Sequence, residues 1–199
     1  MVFYKRQKNK AFTLVELMIA TSLFTIIMLM GIGSLIVSSD SARASQKLRI
    51  AVDNVNFAME SMTRELRTGS YFYCGGSGSM IPNSVNDCSS TPEDIITFNP
   101  QEVPGGPSRI GYYREVRNNS NPVTYTLIRC VDSASPNTCS DIVSSNVDVR
   151  SLKFLVKGSS PTDMIQPSAQ IFMSGVVKVK NVEIPFSLQS MASQRSAEN

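Results

Sequence analysis

The chain has no histidine and no tryptophan. Without histidine there is no Ser-His-Asp triad, no Cys-His couple and no His-containing zinc site. The remaining catalytic routes would need paired carboxylates, lysine or cysteine in a recognisable constellation, and none is present, so neither an enzyme nor a cofactor is expected. Proline is absent before Pro82, and between Phe12 and Leu66 the only glycines are Gly31 and Gly33. Nothing in that stretch forces a long helix to stop. Charge is missing from Leu17 to Val37, 21 residues in a row. Cysteine is scarce: Cys74, Cys88, Cys130 and Cys139 all lie downstream of that run.

The charge that is present is unevenly placed. Four bases, Lys5, Arg6, Lys8 and Lys10, precede the apolar run, and Glu16 sits at its start. Of the 19 basic residues, the 15 outside this leader face 16 acids, which argues against a protein that coats nucleic acid. The charge-free run is long enough to cross the hydrocarbon core as a helix. Bases before it, with Arg43 the first after it, predict a single pass of the inner membrane with a cytoplasmic N-terminus. An ordinary secretory signal is the rival reading, since Ala42-Arg43-Ala44 forms an A-x-A site. The run exceeds the usual h-region of about 7–15 residues, however. Neither a signal nor a plain anchor explains an acid at a depth where charge costs roughly 2.5–3.5 kcal/mol.

Beyond the run, Leu48, Val52, Val55, Met59, Met62 and Leu66 repeat at alternating intervals of four and three, an amphipathic helical stripe. Glu60 and Arg64 form a favourable i, i+4 pair off it, and Gly69 suits a C-terminus. One helix over 12–68 is expected, roughly 85 Å long at about 1.5 Å per residue. After Gly69, loops rich in Gly, Ser, Pro and Asn alternate with β-type runs at 94–99, 109–117, 123–131, 147–157, 169–180 and 182–191. Alternation as in Val123, Tyr125 and Leu127 predicts an antiparallel sheet with one wet face and the helix stripe on its dry face. Pro185 is expected at an edge or bulge. The fold class is therefore α+β. Four segments follow: a leader 1–11, a membrane half-helix 12–39, an amphipathic half-helix 40–68 and a β-rich head 69–199.

Four cysteines on the far side of a membrane segment point to an oxidising compartment and two disulfides. Three pairings exist. Loop entropy favours the local one, Cys74–Cys88 with Cys130–Cys139. Neither loop has C-x-x-C spacing, which argues against zinc. In IGYYREVR (110–117) aromatics stand beside Arg114 and Arg117. A strand would send Tyr112 and Tyr113 to opposite faces, so a wet strand face is favoured over a nucleic-acid platform, and a nucleic-acid partner stays open and unsupported. Asp87, Glu93 and Asp94 lack EF-hand spacing, and Asn118-Asn119-Ser120 is a sequon by pattern only.

The segment KNKAFTLVELMIA resembles the processing signal of type IV prepilins and type II secretion pseudoprepilins. Phe12, Thr13, Leu14, Val15, Glu16 and Leu17 match the family's run after the cut, and Ala11 stands where glycine is usual. The resemblance implies cleavage between Ala11 and Phe12 by a prepilin peptidase, methylation of the new Phe12 amine, and pairing of Glu16 with the N-terminus of a neighbouring subunit. A buried charge pair of that kind fixes register. FAMESMTRELRTGSYFYC (57–74) and IPFSLQSMASQR resemble parts of W-type minor pilins and J-type minor pseudopilins. The implied protein is a filament subunit of a pilus or secretion pseudopilus, with other pilins, the peptidase and the inner membrane as partners. The alternative is a secreted or membrane-anchored β-rich binding domain.

Overall fold

The structure, a computed structural model, describes residues 12–75, 83–88, 91–101, 109–119, 121–131, 138–160, 162, 164–180 and 182–195. The leader residues Lys5, Arg6, Lys8, Lys10 and Ala11, and Ser120 of the sequon, lie outside these. The chain divides into two units, Met1–Ser45 and Gln46–Asn199.

One helix, α1 (Leu14–Thr68), runs through the boundary between the units. In the first unit its apolar side chains, Leu14 to Val37, are all exposed. Thr21 donates to the Leu17 and Met18 carbonyls, Ser22 to Ile19 and Thr25 to Ser22, at 2.8–3.0 Å. These three hydroxyls thus find their partners on their own helix, as a hydrocarbon environment requires.

In the second unit α1 buries Ala51, Val55, Ala58, Met59, Met62 and Leu66. The expected stripe therefore shifts. Val52 is 41% exposed, and Ala51 and Ala58 take part instead. A helix turns about 100° per residue, so strict four-three spacing drifts around the cylinder. Working back from Met62, Ala58, Val55 and Ala51 stay near the centre of the face while Val52 moves off its side. The helix ends at Gly69, where a β-carbon would overlap the Phe98 ring.

Among the described residues eight strands follow: β1 (Ser70–Gly75), β2 (Ile95–Asn99), β3 (Ile110–Asn118), β4 (Thr124–Val131), β5 (Cys139–Asp141), β6 (Val147–Lys157), β7 (Ser168–Val179) and β8 (Val182–Ser193). All neighbouring strands pair antiparallel. They form two sheets rather than one, β1-β2-β3-β4-β5 and β6-β7-β8. Cys88 and Glu93 link them, since Cys88 N–H donates to the Val156 carbonyl (3.1 Å) and Glu93 and Phe154 exchange two bonds of 2.8 Å. Glu93 lies two residues before β2 of the larger sheet.

The core follows the two-residue period. Leu152, Phe154 and Val156 of β6 meet Ala169, Ile171 and Met173 of β7, all buried. Phe98 lies between Phe72 and Tyr112, with ring centroids 5.9 and 6.2 Å away. Gly175 permits close passage of β6, because a β-carbon there would overlap the Asp148 carbonyl. Pro185 sits on β8, an edge strand of its sheet, where a missing N–H is tolerated. The disulfides are Cys74–Cys88 and Cys130–Cys139, which close chain separations of 14 and 9 residues.

Candidate functional site

The chemistry-bearing sequence features fall at the start of α1. Thr13 precedes the first helical residue and acts as its N-cap: its hydroxyl oxygen accepts from Glu16 N–H (3.3 Å) and its carbonyl from Leu17 N–H (3.2 Å). Thr13-x-x-Glu16 has the spacing of a capping box, in which an acid in the first turn also complements the positive end of the helix dipole. Sequence reasoning passed over this feature, although the pattern was readable. It supplies a local reason for an acid at position 16. It does not explain why that acid fronts a span of lipid-like composition. Phe12 is 79% exposed and Glu16 is exposed, so neither has a place in the core of this chain. Among the described residues, α1 is the one helix long and apolar enough to cross a membrane.

The head holds its charges in structural roles. Tyr112 is fully buried and donates to Glu65 Oε2 at 2.7 Å. Arg129 reaches the same carboxylate through Nε (3.2 Å) and a terminal nitrogen (3.1 Å). Burial, then the Glu65 charge, pushes the Tyr112 hydroxyl well above its ordinary pKa, so it remains a donor. Burial alone would lower Arg129, but Glu65 and Tyr112 outweigh it and its pKa is raised. This three-residue clasp ties α1 to β3 and β4. Arg109, also fully buried, donates to Thr97, Asn99 and the Ser84 carbonyl at 2.9–3.4 Å. Burial pushes its pKa down to about 10, which leaves it charged at neutral pH.

The disfavoured alternative, an aromatic and arginine platform on β3, does not form. Tyr112 belongs to the core, Arg114 lies over the Tyr125 ring at 4.1 Å, and Arg117 is absorbed by Asp141, Thr126 and three backbone carbonyls. Thr126 in turn donates to Asp141. Two of the three loop carboxylates weighed as calcium ligands, Asp87 and Asp94, are also engaged. Asp87 accepts from Gly158 and Ser159 N–H at 3.0 and 2.7 Å, and Asp94 pairs with Lys153 at 2.9 Å. Among the described residues no three His, Cys, Asp or Glu side chains cluster as metal ligands would.

Residues 6–32 match the family model described as the prokaryotic N-terminal methylation motif. That match covers leader residues 6–11, the Phe12 and Glu16 positions and the apolar span as far as Ile32. No significant match was found among curated proteins or solved structures.

Proposed function

We propose that this chain is the precursor of a filament subunit of the type IV pilin and type II pseudopilin kind, and within that group a minor subunit. Prepilin peptidase cuts between Ala11 and Phe12, removing the basic leader with Lys5, Arg6, Lys8 and Lys10, and the new Phe12 amine is methylated. The single observation that carries this reading is the methylation-motif match at 6–32, lying on a helix whose apolar side chains from Leu14 to Val37 are all exposed.

The physical sequence of events follows from the charges. Before the cut, the leader bases hold the N-terminus at the cytoplasmic face and the span stores the subunit in the inner membrane. The cut creates an amine close to Glu16. An acid in an apolar medium persists when paired, and a neighbouring subunit's amine provides the pair during assembly. Only one axial offset between helices satisfies both charges, so the pair selects the register. The disulfide-bearing head stays on the extracytoplasmic side.

N-terminal sequencing and intact mass of the mature protein test the proposal. The expected species begins at Phe12 and carries one added methyl group. A mature chain that begins at Ser45, after the A-x-A site, overturns it in favour of an ordinary secretory signal.

A further inference from the structure

Strand β8 closes one side of the three-stranded sheet, and its two halves are built differently. The first half is guarded. Glu183 pairs with Arg150 (2.6 Å) and Lys178 (3.7 Å), and Pro185 follows two residues later. Charge and proline are the usual protection of an open sheet edge. The second half, Phe186–Ser193, has neither: FSLQSMAS carries no charge, no proline and no glycine. Among the described residues, no strand pairs with this edge.

The unguarded half borders a groove. Its volume is about 860 Å³, and α1 forms the opposite wall through Met59, Thr63 and Arg67. Thr63 and Ser190 hydroxyls meet across the floor at 3.0 Å. One end of the groove is cationic. The Arg195 N–H donates to the Arg67 carbonyl at 2.8 Å, which brings two guanidinium-bearing residues together where β8 ends. Neither side chain is in an ion pair among the described residues, whereas Arg64, further along, is matched by Glu60.

We propose that this groove is a docking site for an extended segment of a partner protein, which adds as a further strand to β8 over Phe186–Ser193. Edge addition draws affinity from main-chain hydrogen bonds and specificity from alternate side chains. The antiparallel sense, slightly the more stable, starts the incoming strand at the Arg67 and Arg195 end. The matching segment therefore has carboxylates at its N-terminal end, followed by uncharged residues in which small or aliphatic side chains face Met59 and Thr63. The inference does not depend on the N-terminal processing proposed above.

The test uses the full chain in detergent micelles and a fluorescein-labelled peptide of two glutamates followed by alternating valine and threonine. Saturable binding is expected, with Kd on the order of 10 μM, together with slowed amide exchange over 186–193. A lysine-headed peptide of the same body, or the R67E/R195E protein, should lower affinity about tenfold, as expected for reversing two exposed charge contacts. Both arginines are exposed, so that variant should melt like the parent chain. Three outcomes overturn the proposal: no saturation at about 1 mM, binding that leaves exchange in β8 unchanged, or equal binding of the two peptides. Protection of 186–193 without peptide and rising with protein concentration also overturns it, by showing that a second copy takes the edge.

Discussion

At the scale of single residues, acids define what this chain can do. Glu16 has its backbone N–H capped by the Thr13 hydroxyl, and its carboxylate stands at the positive end of the helix dipole. Replacing it with alanine keeps that backbone cap and removes only the charge at the helix start, at a cost of well under about 1 kcal/mol to the helix. If Glu16 selects register between subunits, E16A should still insert in the membrane and still lose its leader, yet fail to enter filaments. Fractionation of sheared filaments against membranes measures this, and normal incorporation would remove the role assigned to the charge. Glu65 is a different case. E65A leaves the Tyr112 hydroxyl and the Arg129 guanidinium without their partner in a site that is about three-quarters buried. A loss of roughly 2–3 kcal/mol in a urea melt of the head is expected. E65Q, which keeps an acceptor, should lose about half as much.

Asp87 gives the head a local pH response. Burial alone would raise its pKa, but hydrogen bonds from Ser159 and then Gly158 prevail and hold it below the ordinary carboxylate range. A carboxyl whose folded pKa is depressed contributes stability that is complete above its unfolded value and fades as pH falls through the folded one. The turn at Gly158–Ser159 should therefore loosen only below about pH 4. Faster amide exchange at those two residues on acidification, with no such change in D87N, measures the effect. Because Asp87 is exposed, the change stays local and should leave the global melt little altered.

At the scale of elements, the legibility of the fold depended on how local each signal was. The helix was readable because its cues are local: an unbroken run without proline, then a stripe. The misplaced stripe residue, Val52, shows the limit of counting large apolar residues, because the face is completed by Ala51 and Ala58, whose small side chains allow close approach to the head. Six strands were visible from alternation. Strand β1 was hidden because its aromatics follow the helix directly, and β5, three residues long, has no period to detect. The link between the two sheets rests on long-range bonds of Cys88 and Glu93 to β6, which no local pattern encodes. The Glu65, Tyr112 and Arg129 clasp was invisible for the same reason: its members are 47 and 64 residues apart from Glu65 along the chain. Within β7, G175A should cost about 1–3 kcal/mol in thermal or urea unfolding, because a β-carbon has to displace the Asp148 carbonyl. Removing Cys74–Cys88 by paired serines should cost roughly 3 kcal/mol by the chain-entropy argument, measured the same way.

For the whole molecule, the buried core begins at Ala51 and lies wholly within the Gln46–Asn199 unit. A chain starting at Gln46 should therefore fold by itself, with both disulfides and a β-rich circular dichroism spectrum, and stay in solution without detergent. The chain with its apolar span should need detergent, because the side chains of that span are exposed among the described residues. Failure of the Gln46 chain to fold would mean that the preceding helix contributes to the core. The methylation motif was legible because it is linear, matching as one run over residues 6–32, whereas the β8 groove required the helix and the last strand to be brought together from distant parts of the chain.

The clasp on α1 has a mechanical side. Glu65 is only three residues from the end of the helix, and its partners belong to β3 and β4, strands interior to the larger sheet. Tension entering along the helix from its N-terminal side reaches that anchor last. On the way it must slide the whole buried face, Ala51 to Leu66, past the sheets at once. Contacts loaded side by side fail together, unlike a row that peels one by one. The head is thus fastened as a rivet is, by its far end, and E65A should lower its resistance to pulling along α1 more than its equilibrium stability alone would suggest.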